Sequence, residues 1–386
     1  MKIALLMSIA SPQSRDIALQ IGKHGHELHV VDAVNLDSMS YVSRKDPYQK
    51  EDICVLEGIA KGVHRIAYGG PWGAGAFRLA RRLSRILRDV RADVLLTIHG
   101  GAYAAAAFLS GFRPFAVYVG GSDVLFAHYS KRYLSRVSLT AACVVFSNGR
   151  YLAQKAQNLA PRARIIPLYM GTDTSKFRPG ERPASPISIV CTRGFMPIYN
   201  NELLIRALSY LPDDLPEHET VFAAAGPDFE NARSLAAQIL TPAQRGRVKF
   251  LGGASRDALA ELLSRAHIYV SVSRSDGASL SLMEALASGA FPVLSNIPAN
   301  QEWIKPGTKN GLLVPCDDAA ELASVLTRAI KDETLRSVAS EKNRRLILER
   351  ADLKSNMETM LRELVRSTDT GRPFRDGSTK SHLQEN

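Results

Sequence analysis

Residues 273–289 read SRSDGASLSLMEALASG, with two carboxylates, Asp276 and Glu284, separated only by small and aliphatic residues. Two local readings compete for this stretch. Ser281-Leu-Met-Glu284 fits the S-x-x-E capping box, in which the glutamate folds back to a free backbone N–H at a helix start. Alternatively, Gly277, Ala278 and Ser279 leave bare N–H groups at a helix N-terminus, where aligned peptide dipoles favour an anion such as phosphate. The flanks decide the fold around either reading. The run HIYVSVS before the segment and FPVLSN after it are short, β-rich and apolar, so the segment is the loop and helix of a parallel β-α-β unit.

The same rhythm extends along the whole chain. MKIALLM, SRDIALQIGKHG and HELHVVDA read as strand, helix and strand, with Gly25 as the helix stop. Further strands are read in ADVLLTIHGG, PFAVYVGGSD, ACVVFSN and ARIIPLYMGTD, each ending in small or polar residues that should face a cleft. After the loop TDTSKFRPGERPASP the rhythm restarts at ISIVCTRG and continues through NNELLIRALSYL, TVFAAAGP, RVKFLGG and RDALAELLSRA, with C-terminal helices from 317 to 366. The chain is therefore expected to form two doubly wound α/β domains, 1–175 and 176–366, with 367–386 as a polar, disordered tail.

Composition agrees with two domains. A chain of 386 residues exceeds one ordinary core. Its apolar runs fall short of the ~20 residues that span a bilayer. The opening MKIALLMSIASPQS reads as a first strand rather than a signal peptide, and a cytoplasmic protein is expected. Cys54, Cys143, Cys191 and Cys316 are too scattered for a zinc site or a disulfide framework. The formal charge of +11 implies an acidic partner: nucleic acid, anionic lipid or a phosphorylated substrate.

With SRSDGASLSLMEALASGAFPVLSN, then NQEWI and NGLLV in that order, and with GHELHVV, FSNGRYLAQK and GTDTSKFRP upstream, the chain resembles the retaining glycosyltransferases of family 4, also described as glycosyl transferases group 1. That resemblance implies the GT-B fold, two Rossmann-like domains facing across a cleft. It places Glu284 on the ribose diol of a nucleotide-sugar, where a carboxylate can take both hydroxyl protons. Asp276 stands at the position that contacts the donor sugar, one methylene shorter than the family's glutamate. The N–H groups of Gly277, Ala278, Ser279 and Leu280 would cradle sugar and phosphate, and Gly252, in the glycine pair closing RVKFLGG, joins the donor-binding set. Arg193 matches the arginine that holds the diphosphate, a task suited to a planar guanidinium fork.

The chain departs from the family at two places. Tyr199 stands near the position of the family lysine, so either Arg274 or another basic group supplies that charge, or the tyrosine hydroxyl acts as a neutral donor. In VGGSD, Gly120 replaces a family histidine, while Asp123 is retained and His99, at the end of TIHGG, is a second candidate for the cleft. A histidine at a strand end is also an ordinary structural residue. No D-x-D pair occurs, and the resemblance implies diphosphate handling with neither metal nor other cofactor.

The helix FRLARRLSRILRDVR is amphipathic and basic over residues 78–91. It is either a crossover helix with a solvated charged side or a rest for anionic lipid heads. The expected activity is transfer of a sugar from a nucleoside diphosphate donor to a hydroxyl of a lipid-linked or growing glycan, in envelope polysaccharide or glycolipid synthesis, on or near the membrane. The implied front-face path, in which the leaving phosphate oxygen helps to deprotonate the acceptor, needs no protein nucleophile. A nucleotide-sugar epimerase or a phosphorylase is the alternative in the same fold. A nucleic-acid-binding role lacks any base-reading or aromatic stacking motif.

Overall fold

A computed structural model describes residues 1–35, 49–69, 72–125, 129–305 and 307–369. In the first half, β1 (Lys2–Met7), α1 (Pro12–Lys23), β2 (Glu27–Asn35), α2 (Gln49–Ile59), β3 (Gly62–Tyr68), α3 (Trp72–Val90) and β4 (Val94–Ile98) are followed by α4 (Ala102–Leu109), β5 (Phe115–Val119), α5 (Ser122–Leu125), α6 (Tyr129–Ala141), β6 (Val144–Ser147), α7 (Arg150–Leu159) and β7 (Ile165–Pro167). The second half restarts with β8 (Ile187–Cys191), α8 (Asn201–Ser209), β9 (His218–Phe222), α9 (Phe229–Ile239), α10 (Pro242–Gly246), β10 (Val248–Phe250) and α11 (Arg256–Arg265). It closes with β11 (Ile268–Ser271), α12 (Leu280–Ala287), β12 (Phe291–Ser295), α13 (Pro298–Gln301), β13 (Leu312–Val314), α14 (Ala319–Lys331), α15 (Glu333–Arg350) and α16 (Leu353–Asp369).

These strands form two wholly parallel sheets, ordered β3-β2-β1-β4-β5-β6-β7 and β10-β9-β8-β11-β12-β13. Parallel strands covered by helices on both faces read as unbroken apolar runs, and every residue of VLLTI in β4 and FAVYV in β5 is buried. The expected pair of doubly wound domains facing across a cleft is the arrangement found. Several elements escape the sequence reading, the helices α2, α4, α6 and α9 and the strand β3 among them. The last is an edge strand whose half-exposed GVHRIAY carries His64 and Arg65.

Each sheet reverses its winding once, between β1 and β4 in the first and between β8 and β11 in the second. Ligands of open parallel sheets bind at the carboxyl ends of the strands flanking such a reversal. The segments there are the loop into α1, the turn after β4 at His99, the turn after β8 at Arg193, and the 273–289 stretch after β11.

The chain crosses between the halves twice. The connection 168–186 carries it over, with Phe177 fully buried, and the expected domain change at 175–176 falls inside it. After α15 the chain returns: Thr172 bridges Asp352, and Leu353, Met357, Met360, Leu361 and Leu364 of α16 share one apolar cluster with Ile3, Leu5, Val30 and Leu96 of the first sheet. Arg344 fastens the crossing by donating to the carbonyls of Phe177 at 2.7 Å, Thr174 at 2.8 Å and Ala287 at 2.9 Å. Helix α16 runs to Asp369, three residues into the stretch read as a tail; residues 370–386 lie outside the described residues.

Helix α3 buries Leu79, Leu83 and Leu87 against the first sheet and leaves Arg78, Arg81, Arg82, Arg85 and Arg88 exposed, as a crossover helix does. Among the described residues no helix is long and apolar enough to cross a membrane.

Met360 has no exposed surface. Met360→Ala should therefore cost about 2–5 kcal/mol of stability, read as a lower denaturant midpoint of the first half's unfolding. An unchanged midpoint would mean that α16 contributes nothing to the first sheet.

Candidate active site

A cleft of about 800 Å³ opens between the carboxyl ends of the two sheets, within the size range of small-molecule sites. Its second-half wall is organised by Arg193, two residues beyond β8. The guanidinium donates through Nη2 to Asp276 Oδ2 at 2.6 Å, and through Nη1 to Ser279 Oγ at 2.6 Å and Ser281 Oγ at 3.2 Å. Its carbon lies 3.9 Å from the centroid of the Tyr199 ring, a cation–π stack. Burial works against the charge, but Asp276 outweighs it and the guanidinium is held more firmly protonated than usual. Burial pushes the Asp276 carboxyl up despite Arg193 and the Gly277 N–H. The Nε of Arg193 is buried without a hydrogen-bond partner among the described residues, a donor still to be satisfied.

The helix start is set by Ser279, not Ser281. Ser279 is the N-cap of α12, its Oγ accepting from Leu282 N at 3.4 Å, which leaves Glu284 too far along the helix to close a capping box. Glu284 is buried and faces Arg256, the first residue of α11, with Nη1 2.8 Å from Oε1. The contact is an ion pair between the buried carboxylate and a half-buried guanidinium. Burial pushes the Glu284 carboxyl up to about 7 even with Arg256 beside it. Arg256 itself is held charged by Glu284 and by Asp16 of α1, 3.4 Å away across the cleft, so the glutamate is the member of the pair that exchanges a proton.

On the first-half wall, His99 follows β4 at φ 123°, a backbone region seldom occupied by a residue with a side chain, and holds its ring nearly half open to the cleft. A Cβ added at Gly120 would lie 3.6 Å from that ring, so the imidazole stands beside the place vacated at Gly120. Asp123 lies beneath. Its carboxylate accepts from the N–H groups of Gly100 at 2.6 Å, Gly121 at 2.8 Å and Gly120 at 3.2 Å, and is 3.8 Å from His99 Nδ1. Burial opposes its ionisation but is outweighed by His99 and these amides, which keep it below the usual carboxylate range. In the other direction, burial weakens the His99 base and Asp123 more than restores it.

The structure gathers Arg193, Asp276, Gly277, Ala278, Ser279, Leu280, Tyr199, Glu284 and His99 on the cleft wall, and sets three other sequence candidates off it. Asp123 is spent on backbone amides and supports His99 from below. Arg274 donates to Asn200 Oδ1 at 2.8 Å and does not line the cleft. Gly252 turns the chain at φ 73° two residues before Ala254, where the wall begins. Sequence reasoning missed Arg256, Asp16 and Lys176, which lie on the wall but on elements distant in sequence from Glu284. Of the three, only Arg256 carried a positional signal, at the start of a helix.

Comparison with known proteins places the second half. Residues 173–346 match the family model of Glycosyl transferases group 1, and the chain carries a domain of that kind. An exopolysaccharide phosphotransferase of Streptomyces coelicolor is 27% identical over 268 residues, 67% of this chain. The match spans about a quarter of that relative's length, 27%. Among solved structures, Anabaena HepE in complex with UDP matches with TM-score 0.73 and 16% identity over 95% of this chain and 100% of that one. Sucrose-phosphate synthase from Thermosynechococcus elongatus matches with TM-score 0.76 and 15% identity over 96% and 100%. The chain thus has the GT-B fold.

The buried carboxyl at Glu284 makes stability depend on pH. Its pKa rises from 4.5 unfolded to about 7 folded, so the folded chain holds the extra proton between those values and the unfolding free energy falls as pH increases through that window. The change should amount to about 1–3 kcal/mol between about pH 5 and pH 8. Glu284→Gln, uncharged throughout, should lose that slope in denaturant titrations; an identical slope in the variant would assign it elsewhere.

Proposed function

We propose that this chain, built around a group 1 glycosyl transferase domain, is a retaining glycosyltransferase that moves a sugar from a nucleoside diphosphate donor to a hydroxyl of a lipid-linked or growing glycan in envelope polysaccharide or glycolipid synthesis. The observation that carries the reading is the setting of Arg193: a buried, permanently charged fork whose Nε–H has no partner among the described residues, placed at the winding reversal of the second sheet beside the N-terminus of α12. Cleavage of the donor leaves negative charge on the diphosphate, and preorganised donors aimed at developing charge are the strongest catalytic device of this kind.

In this reading Glu284 takes the ribose diol, and Asp276 orients Arg193 while meeting the sugar hydroxyls. The backbone of Gly277 to Leu280 lies along the phosphates. Arg256, half-buried on the same wall, takes the part of the missing lysine, and Tyr199 acts through its ring face under Arg193 rather than through its hydroxyl. His99, oriented by Asp123, serves the acceptor side. No protein nucleophile and no metal is assigned. The exposed arginines of α3 fit the headgroups of an anionic membrane surface on the cytoplasmic side, to which an acceptor lipid would be anchored.

The relative from Streptomyces favours one second reading, transfer of a sugar phosphate. Products separate the two: glycosyl transfer releases nucleoside diphosphate, phosphosugar transfer releases nucleoside monophosphate. A thermal-shift panel of nucleoside diphosphates comes first, since a ligand at 100 times its dissociation constant stabilises by about 2.7 kcal/mol. UDP is the natural first member. No shift with any nucleotide would overturn both readings.

Arg193→Ala should lower turnover with saturating donor by about 10²-fold, the cost of one transition-state donor. Full activity in that variant would remove Arg193 from the chemistry. Tyr199→Phe keeps the ring under the guanidinium and should retain activity, whereas Tyr199→Ala should lose it in part. Equal losses in both would return the role to the hydroxyl.

A further inference from the structure

At the opposite end of the first sheet's strands, away from the cleft, lies a second cavity of about 820 Å³. It is bounded by the amino-terminal ends of β5 and β6, one side of α6 and the last turn of α16. Its floor is apolar, formed by Phe115, Val137 and Ala141, and three arginines line it, Arg113, Arg136 and Arg162. These three come from different segments: the turn before β5, the middle of α6 and the turn after α7. Arg113 lies with its guanidinium carbon 4.6 Å from the centroid of the buried Phe115 ring and 5.3 Å from that of Phe108, and burial lowers its basicity.

None of the three arginines has a carboxylate within ion-pair distance among the described residues. Arg164, two residues from Arg162, by contrast holds Glu363 at 2.7 Å. Three like charges around one apolar hollow repel one another, and what relieves that repulsion is an anion bound between them. Guanidinium forks match phosphate oxygens in particular. A bare phosphate would leave the apolar floor uncovered, whereas an uncharged lipid tail would leave the arginines unanswered.

From this juxtaposition we infer that the cavity binds an amphiphilic phosphate monoester, its head between Arg113, Arg136 and Arg162 and its apolar chain on Phe115, Val137 and Ala141. The site is independent of the cleft and of any reading of its chemistry. Its ligand class can be supplied by a single-chain lipid phosphate or by a soluble alkyl phosphate, and the head and chain are recognised alike in both.

The test is calorimetric titration of the full chain with dodecyl phosphate below its micellar concentration, alongside inorganic phosphate and vesicles of neutral lipid containing lysophosphatidic acid. Dodecyl phosphate should bind one to one, and saturating UDP should leave that binding unchanged. Replacing Arg136 or Arg162 by Ala, both exposed and therefore safe for folding, should weaken it by about tenfold each, the loss of one charge-assisted contact. Ala141→Trp should abolish it by filling the hollow while circular dichroism stays unchanged. Vesicle binding that falls in parallel identifies the membrane as a source; vesicle binding absent while dodecyl phosphate binds identifies a soluble one. Inorganic phosphate binding as tightly as dodecyl phosphate, no binding by the full chain, or binding indifferent to both arginine variants would overturn the inference.

Discussion

Two glycine segments meet across the cleft with no side chain between them, and that contact sets how closely the halves face each other. A Cβ on Gly277 would come within 3.0 Å of the Gly120 carbonyl oxygen, and one on Gly121 within 3.7 Å of Gly277 N. Around this bare contact the halves are tied by groups that work only at that spacing. Asn148 of the first half donates to the Ala278 carbonyl at 2.9 Å, and Asp16 reaches Arg256. Helix α7 begins at Gly149 with no cap of its own, and Glu302 of the other half accepts its first N–H groups, from Arg150 at 2.9 Å and from Tyr151. A helix N-terminus answered by a carboxylate from another domain satisfies two groups that would otherwise be left unpaired at the junction.

What the sequence discloses follows from the range of the forces involved. Strands buried on both faces need continuous apolar runs, and these were legible from β1 to β12. The edge strand β3 was not, because one exposed side lets His64 and Arg65 interrupt the run. The position of Glu284 was read correctly as belonging to a helix, but its partner could not be. A capping box is a local pattern, while the Arg256 contact joins residues brought together by the order of strands in the sheet. Tyr199 shows the limit from the other side: the sequence placed it beside the arginine, and only the fold decides that it offers its ring face.

The basic excess of the chain also resolves into separate populations. The α3 arginines are solvated over an apolar face, the arginines near β5 and β6 crowd a hollow, and the buried Arg193 and half-buried Arg256 and Arg344 are each held by oxygen atoms. Net charge reported the sum, and burial separates the parts.

The return of α16 to the first sheet has a consequence for how the protein is made. The strands β1, β2 and β4 emerge early during synthesis, yet one layer of their covering is α16, translated more than two hundred residues after β4. Until it arrives, Ile3, Leu5, Val30 and Leu96 have an incomplete roof. Domains usually fold in order from the amino terminus. Here the earlier domain is the one that must wait, and its exposed sheet is a natural client for a chaperone until the later domain has formed and handed back the helix that completes it.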